Sequence, residues 1–399
     1  MNKRFIGVLR PLSLSLVLIL IVGLAGRGGP YATAAPPNRP PETGLICTTN
    51  VSNSFTLTAH DGAISTPDGN IVYMWGFSAG DDAFQHPSPV LCVDEGETVT
   101  VVLHNLLTED VSIIFPGQEN VMANGQPSQP QFDGLDLTSL APVAPPNGTM
   151  TYSFVASRPG TFLYQSGTEP LKQVNMGLFG GLVVRPTLGD AHAYNDAGTQ
   201  FKTEADGDGY RAEYLLFFSE IDPMLHMAVE QGLPYNMNNY TPRYWMINGR
   251  SFPDTVAPNG AKWLPDQPYG SLIYIHPYDG VANPNPALIR YINVGTENFP
   301  HHPHGNHGRI IAQDSNLLAG DGGQDMSYEK FTINIGPGQT LDELFVWADV
   351  EGWSPENPIP VVIPQLQNLK FGTFYSGSPY LGDTDNLPVG HQALNACGE

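Results

Sequence analysis

Short strand-like runs separated by turn residues recur along almost the whole chain. Apolar and polar residues alternate in "TVTVVLHN" (98–105) and "LIRYINVG" (288–295), which is the pattern of half-buried β-strands. Glycine (43) and proline (37) together account for 80 of the 399 residues, and only 14% of residues are charged. This composition favours many short strands joined by tight turns. We therefore predict an all-β protein.

The strand-like runs form two series that follow the same plan, which predicts two β-sandwich or β-barrel domains. We expect the first domain at residues 35–190, a linker at 191–208 and the second domain at 209–399. One run, "DPMLHMAVEQG" (222–232), has a helical pattern. It opens with Asp and Pro, which suit a helix cap and a first helical turn.

The first 34 residues are typical of a secretory signal peptide. Three basic residues precede an apolar stretch at 12–25, and small residues follow at 32–35. The alternative is an uncleaved membrane anchor, but the apolar stretch at 12–25 is shorter than the roughly 20 residues that a membrane span needs. We therefore predict an exported protein without a transmembrane span, located in the medium, in a periplasm or at a cell surface.

The chain is strongly acidic. It contains 17 Lys and Arg against 39 Asp and Glu, and four of the basic residues lie within 1–34, which has no acidic residue. The mature chain would therefore carry 13 positive and 39 negative side chains, for a net charge of −26. Such a surface repels nucleic acid and anionic lipid, so neither is an expected partner. It can attract a cationic protein such as a basic cytochrome, although solubility alone also explains it.

The three cysteines, Cys47, Cys92 and Cys397, lie far apart and match no zinc or redox spacing. In an exported protein one disulfide and one remaining thiol are expected. Three pairings are open, and we favour Cys47 with Cys92.

Several motifs occur in an order that resembles a known family. They include "IFPG" (114–117), "GTFLYQSG" (160–167), "GLFGGLVVRP" (177–186), "HPHGNHGRIIAQD" (302–314) and "INIGPGQTLDELFVWAD" (333–349). With these motifs the chain resembles the multicopper oxidases and their two-domain cupredoxin relatives, which include copper nitrite reductases. The resemblance implies two cupredoxin-like Greek-key domains and covers nearly the whole mature chain. It does not by itself carry the function across.

The family binds copper at four of its motifs, and three of them lack ligands here. Ile114 and Pro116 stand at the first pair of ligand positions, and Gln165 and Gly167 stand at the second pair. The fourth motif corresponds best to residues 372–383, which contain no Cys, His or Met. A blue-copper centre needs a thiolate and two imidazoles. We therefore predict that the blue-copper and trinuclear centres are absent.

The third motif keeps two histidines. His302 and His304 stand where the family has copper ligands, whereas Phe299 replaces the blue-copper histidine. On an extended strand His302 and His304 would share one face, with His301 on the other. Two imidazoles on one face can hold copper, zinc or nickel with further ligands. The candidate metal ligands are therefore His302, His304 and, after some rearrangement of the loop, His307.

The other histidines show no metal-ligand spacing. His86 stands alone, and His226 lies in the predicted helix. The methionines form no dense Met-x-Met cluster, so most of them are expected to fill the core or the surface.

Two functions remain open. The first is an exported binding or structural module that has discarded its redox metals and serves a protein partner or a cell-surface assembly. The second is a copper-binding oxidoreductase or metal-binding protein that uses one site at His302, His304 and His307. Related two-domain proteins often form trimers, so a neighbouring subunit could complete such a site. In a third interpretation, the histidines are simply polar loop residues. Whether the protein is an enzyme stays open, with no activity as the simpler expectation.

Overall fold

The computed structural model describes residues 43–206, 210–275, 285–303 and 307–346. β-strands dominate these ranges, and the helices are short. The helices are α1 (Pro170–Gln173) and α2 (Pro223–Glu230), with 3-10 turns at Ala197–Thr199, Glu204–Asp206, Met237–Asn239 and Asp254–Val256. No helix in the described ranges is long and apolar enough to cross a membrane. The prediction of an all-β protein is confirmed.

The strands of the first half form two sheets that enclose a core. One sheet has the order β2-β1-β4-β9-β5-β6, the other has the order β10-β11-β3, and β7 and β8 form a separate hairpin. The side chains of both sheets meet in one apolar cluster. The strands are β1 (Ser54–Ser65), β2 (Ile71–Ala79), β3 (Leu91–Asp94), β4 (Thr98–Asn105), β5 (Met122–Ala123), β6 (Gln126–Pro127), β7 (Gln131–Asp133), β8 (Asp136–Ser139), β9 (Thr149–Val155), β10 (Gly160–Gln165) and β11 (Phe179–Arg185).

The second half repeats this plan. Its main sheet has the order β13-β12-β14-β20-β16-β17, β18 adds to β16, and β15 pairs with β19. The parallel pair β12 and β14 corresponds to the parallel pair β1 and β4 of the first half. The strands are β12 (Glu213–Ile221), β13 (Tyr244–Ile247), β14 (Ala287–Asn293), β15 (Phe299–His301), β16 (Gly308–Gln313), β17 (Asn316–Leu317), β18 (Tyr328–Lys330), β19 (Ile333–Ile335) and β20 (Thr340–Phe345).

Burial agrees with the sequence pattern in β4 and departs from it in β14. Val99, Val101 and Leu103 of β4 are buried and alternate with more exposed residues, as predicted. In β14 every residue from Ala287 to Asn293 is buried, so the prediction of a half-buried strand was wrong. The reason is that β14 has the core of its own half on one face and the first half of the chain on the other.

Two local predictions are confirmed. Asp222 caps helix α2 by accepting a hydrogen bond from the Met224 amide (2.9 Å), with Pro223 at the first helical position. Cys47 and Cys92 form a disulfide with their Cα atoms 5.5 Å apart. Cys397 lies outside the described residues.

The two halves pack together through an apolar cluster to which both contribute. Leu163, Phe179 and Val183 of the first half meet Phe217 and Ile292 of the second. The described residues of both halves accordingly fall in one compact unit. The domain and linker boundaries given above stay a prediction.

A buried ion-pair network also joins the halves. Arg290 of β14 donates from Nε to Glu213 Oε1 (2.8 Å) and from Nη1 to Thr161 Oγ1 of the first half (2.9 Å). Arg185, also of the first half, donates to the same Glu213 oxygen (2.5 Å). Burial opposes ionisation of Glu213, but the neighbouring Arg185 and Arg290 charges outweigh it and hold its pKa at about 2.

Asp342 of β20 completes the network. Its Oδ1 accepts from Thr161 Oγ1 (2.6 Å), and its Oδ2 accepts from the Tyr194 hydroxyl (2.5 Å) and lies 3.5 Å from Arg290 Nη1. The side chains of Arg290 and Asp342 are 0% and 2% exposed. Charges at this depth are tolerated only when they are paired and hydrogen-bonded.

Removing Arg290 should therefore destabilise the whole unit. We expect Arg290→Ala to lower the free energy of unfolding by about 3–5 kcal/mol, because Glu213 and Asp342 would remain buried without their shared cation. Arg309→Ala, at an arginine that pairs with exposed Asp325, should cost about 1 kcal/mol or less. Denaturant unfolding measures both variants, and equal losses would contradict the assigned role of the network.

Candidate metal site

The first two ligand motifs of the resemblance lie side by side in the structure. The Ile114 amide donates to the Gln165 carbonyl (2.8 Å), and the Gln165 amide donates back to the Ile114 carbonyl (3.1 Å). The two segments that would each supply a histidine pair are therefore adjacent, as a shared copper site requires. The side chains at the ligand positions, however, are those of Ile, Pro, Gln and Gly.

Packing closes this place against a larger side chain at position 167. A Cβ on Gly167 would lie 2.8 Å from Ile114 Cγ2, 2.9 Å from Ser112 Oγ and 3.2 Å from Leu140 Cβ. The Ser112 hydroxyl is itself held in a buried network with Ser139 (2.8 Å) and Thr168 (3.0 Å). Aliphatic groups and paired hydroxyls fill the space around position 167.

In the second half, His302 and His307 lie around one aromatic ring. The His302 ring meets the Phe331 ring edge-on at 4.2 Å, and the His307 ring lies 5.5 Å from it. His302 Nδ1 lies 3.1 Å from the Phe331 carbonyl and 3.0 Å from Thr332 Oγ1. Because a carbonyl only accepts, Nδ1 carries the proton and the lone pair of the neutral ring is on Nε2. His304, the third predicted ligand, lies outside the described residues.

His301 points the other way, as the strand alternation predicted. Its Nδ1 donates to the Tyr291 hydroxyl (3.0 Å), and that hydroxyl donates to Glu343 Oε2. Burial, with a smaller contribution from the charge of His302, lowers the pKa of His301 to about 4. Burial raises the pKa of Glu343 to about 7, although the Tyr291 donor opposes the shift.

The buried Tyr291–Glu343 pair also lies against the far end of the histidine run, residues 301–307. A Cβ on Gly308 would lie 1.2 Å from Glu343 Oε1, so only glycine fits there. His301 and Gly308 therefore both lie against the Tyr291–Glu343 pair. Sequence reasoning missed both residues of this pair. The available signal was a lone glutamate within the apolar strand "LDELF" (341–345).

Comparison with known proteins shows what this chain is similar to. Residues 81–188 match the family model of the multicopper oxidases. The structure superposes on the blue copper oxidase of Nitrosomonas europaea with a TM-score of 0.53 and 22% identity, over 73% of this chain and 74% of that one. The chain therefore has a cupredoxin-like fold, and its residues 81–188 are similar to the multicopper oxidases. At this level of identity the superposition shows the fold alone.

Similarity in sequence reaches known enzymes over a limited span. This cupredoxin-like protein is 29% identical to Laccase 1 of Metarhizium acridum over 136 residues, which is 34% of this chain and 19% of the laccase. It is also 29% identical to a probable nitrite reductase-hydroxylamine oxidoreductase fusion protein of Kuenenia stuttgartiensis, over 32% of this chain and 16% of that protein. The chain thus spans less than a fifth of the length of these relatives.

Copper fits the two halves of the cupredoxin-like protein differently. Positions 114, 116, 165 and 167 offer no imidazole or sulfur, and Gly167 has no room for one. At 302 and 307 imidazoles are present, and the His302 proton is placed as in metal-bound histidines, which donate their other N–H to a carbonyl. No group of three His, Cys, Asp or Glu side chains that could hold a metal occurs within the described ranges. Residues 372–383 lie outside those ranges.

The buried Glu343 should make stability depend on pH. Its pKa rises from 4.5 in the unfolded chain to about 7 in the fold, so its contribution is fully present below about 4.5 and is lost as pH rises through about 7. At about 1.4 kcal/mol per pKa unit, the loss is about 3 kcal/mol. Glu343→Gln should remove this dependence.

Denaturant unfolding between pH 4 and pH 8 measures the effect of the Glu343 carboxyl. Glu297→Gln is the control, because Glu297 lies outside the buried pair and bonds Trp245. If the pH profiles of the wild type and Glu343→Gln run parallel, the carboxyl does not titrate as stated.

Histidines introduced at the ligand positions of the second motif, 165 and 167, should lower the stability of the fold and should not create a copper site. We expect Gln165→His alone to change stability little, whereas Gly167→His should cost at least about 1–3 kcal/mol because its side chain overlaps Ile114 and Ser112. Urea unfolding of both variants checks this. A stable Gly167→His protein with increased copper binding would show that the place is open.

Proposed function

We propose that this chain is an exported, two-domain binding or structural module on a cupredoxin fold, without blue-copper and trinuclear centres. The observation that carries the proposal is the packing at Gly167, where Ile114, Ser112 and Leu140 occupy the space that a copper-binding imidazole would need. A redox enzyme of this superfamily depends on metal ligands from that segment. Here the segment maintains the sandwich and presents no imidazole or sulfur at positions 165 and 167.

The blue-copper position supports the same proposal. Phe299, which replaces the histidine of the motif, stacks on Phe218 with the ring centroids 5.4 Å apart and the planes 10° apart. An aromatic stack of this kind contributes to the core. The sequence at 372–383 adds no thiolate.

The character of the partner follows from charge and expected location. With residues 1–34 as a cleaved signal peptide, the protein is outside the cytoplasm, and its acidic surface favours a cationic protein or a cell-surface assembly. A homo-trimer is compatible with the fold resemblance. Nucleic acid is not a partner in this proposal.

A second candidate function rests on the orientation of His302. Its Nδ1 lies 3.1 Å from the Phe331 carbonyl and 3.0 Å from Thr332 Oγ1, and these contacts orient the ring. His302, His304 and His307 could hold one copper ion, with water or a neighbouring subunit completing the site. This would make the protein a metal-binding protein or an oxidoreductase with a single site in the second domain.

Copper loading under oxidising conditions separates the candidates. The wild type, His302→Ala/His304→Ala and the control His104→Ala are loaded with Cu(II), washed, and examined by electron paramagnetic resonance, visible absorption and oxidase assay. The module predicts no stoichiometric Cu(II) signal and no turnover in any of the three. One Cu(II) per chain that disappears only in the double variant would favour the second candidate. Strong absorption near about 600 nm, where copper–thiolate centres absorb, would overturn both.

A further inference from the structure

Two completely buried histidines lie at the contact between the halves, far along the sequence from the histidine run. His86 and His226 are 0% and 1% exposed. Neither ring nitrogen of His86 has a hydrogen-bond partner within the described residues, and the same holds for His226 Nε2. A buried polar atom without a partner costs about 1–3 kcal/mol. In a native fold such an atom indicates an ordered water or an ion.

Both rings lie along the same strand. His226 Nδ1 is 2.7 Å from the Tyr73 carbonyl of β2. The His86 ring lies against Gly177, where a Cβ would be 3.0 Å from His86 Nδ1 and 2.2 Å from the Trp75 carbonyl. Tyr73 and Trp75 are two residues apart on β2, which is about 7 Å along a strand. Both imidazoles therefore lie beside the same short stretch of β2.

The protonation of His226 is suited to a ligand. The Tyr73 carbonyl accepts the Nδ1 proton, so the neutral ring has its lone pair on the buried, unpartnered Nε2. This is the arrangement of a metal-bound histidine whose other N–H donates to a carbonyl. Burial lowers the pKa of His226 to about 4, although the Tyr73 carbonyl and the Asp222 charge oppose the shift, and burial together with the His226 charge lowers the pKa of His86 to about 3.

The enclosure of His86 is built by both halves. Gly177 of the first half lies on one side of the ring, and on another a Cβ on Gly249 would be 2.9 Å from His86 Cδ2. The Phe179 ring meets it edge-on at 5.2 Å. Neither glycine could carry a side chain without displacing the imidazole or the backbone beside it. The His86 imidazole thus fills the space that glycine at 177 and 249 leaves open.

A thioether lies beside the same ring. Met74 Cε is 3.2 Å from the point that a Cβ on Gly177 would occupy, and His86 Nδ1 is 3.0 Å from that point. Met74 is fully buried, in one cluster with Met246, and Met176 precedes Gly177 and is also fully buried. Uncharged imidazole and thioether donors suit a soft monovalent ion. The nearby Asp222 carboxylate is already engaged by Met224, Tyr235 and Thr241.

We propose that His86, His226 and Met74 form a buried binding site for one Cu(I) ion between the two halves of the chain. The site uses no residue of the histidine run and goes beyond the proposed function, which concerns the family's own copper positions. An ion there would satisfy the lone pairs that the protein leaves without partners. It would also link α2 and β2 to the segment that follows β2.

The test is anaerobic titration with Cu(I) in competition with a chromophoric chelator, together with X-ray absorption at the copper edge. We expect one Cu(I) per wild-type chain, with nitrogen and sulfur in its first shell. Met74→Leu should keep the fold, lose the sulfur and bind at least about tenfold more weakly. His86→Phe should abolish binding. His302→Ala/His307→Ala and Met150→Leu are the controls, and both should bind like the wild type.

Several results would overturn the proposal. They are a wild type that retains no Cu(I), a copper shell without sulfur, or equal affinity in the wild type, Met74→Leu and His86→Phe. A crystal structure of Cu(I)-treated protein with only water between His86 and His226 would also refute it. If His86→Phe fails to fold, the proposal is still tested by the Cu(I) affinity of Met74→Leu and by the X-ray absorption spectrum of the wild type. Because Cu(I) is silent in electron paramagnetic resonance, the result is independent of the Cu(II) experiment on the histidine run.

Discussion

The Arg290 guanidinium is the group on which the joined halves of this protein depend. It lies fully buried between two carboxylates, and a threonine and an arginine of the first half reach into the same network. Removing these charges from water is expensive, and only their mutual pairing offsets that cost. The network therefore admits one relative placement of the halves, because a displacement of a few ångströms would leave a buried charge without a partner.

The same two strands serve the interface and the histidine run at once. Arg290 and Asp342 are directly opposite each other in β14 and β20, and they face the first half. Their sequence neighbours Tyr291 and Glu343 project to the opposite face and support His301 and Gly308. Because side chains alternate along a β-strand, the Arg290–Asp342 pair and the Tyr291–Glu343 pair lie on opposite faces of the sheet. The position of the histidine run is consequently tied to the packing of the halves.

Local features could be predicted from the sequence, whereas features that depend on strand register could not. The cap at Asp222, the strand β4 and the opposite orientations of His301 and His302 follow from short-range periodicity and backbone chemistry. The burial of β14 on both faces, the Tyr291–Glu343 pair and the enclosure of His86 by Gly177 and Gly249 follow from residues far apart in the sequence. For the candidate site, the sequence predicts that copper ligands are replaced at positions 114, 116, 165 and 167. It could not indicate that Gly167 is closed by Leu140 and by a network of hydroxyls.

That closure at Gly167 bears on how sequences can change around this fold. An imidazole at 167 requires a smaller residue at 114 and a rearranged Ser112–Ser139–Thr168 network, and each of these changes alone would leave a void or an unpaired hydroxyl. Whichever of these substitutions comes first, the resulting variant is therefore less stable than the present protein. The volumes of a few packed side chains thus make single substitutions toward a copper-binding site destabilising.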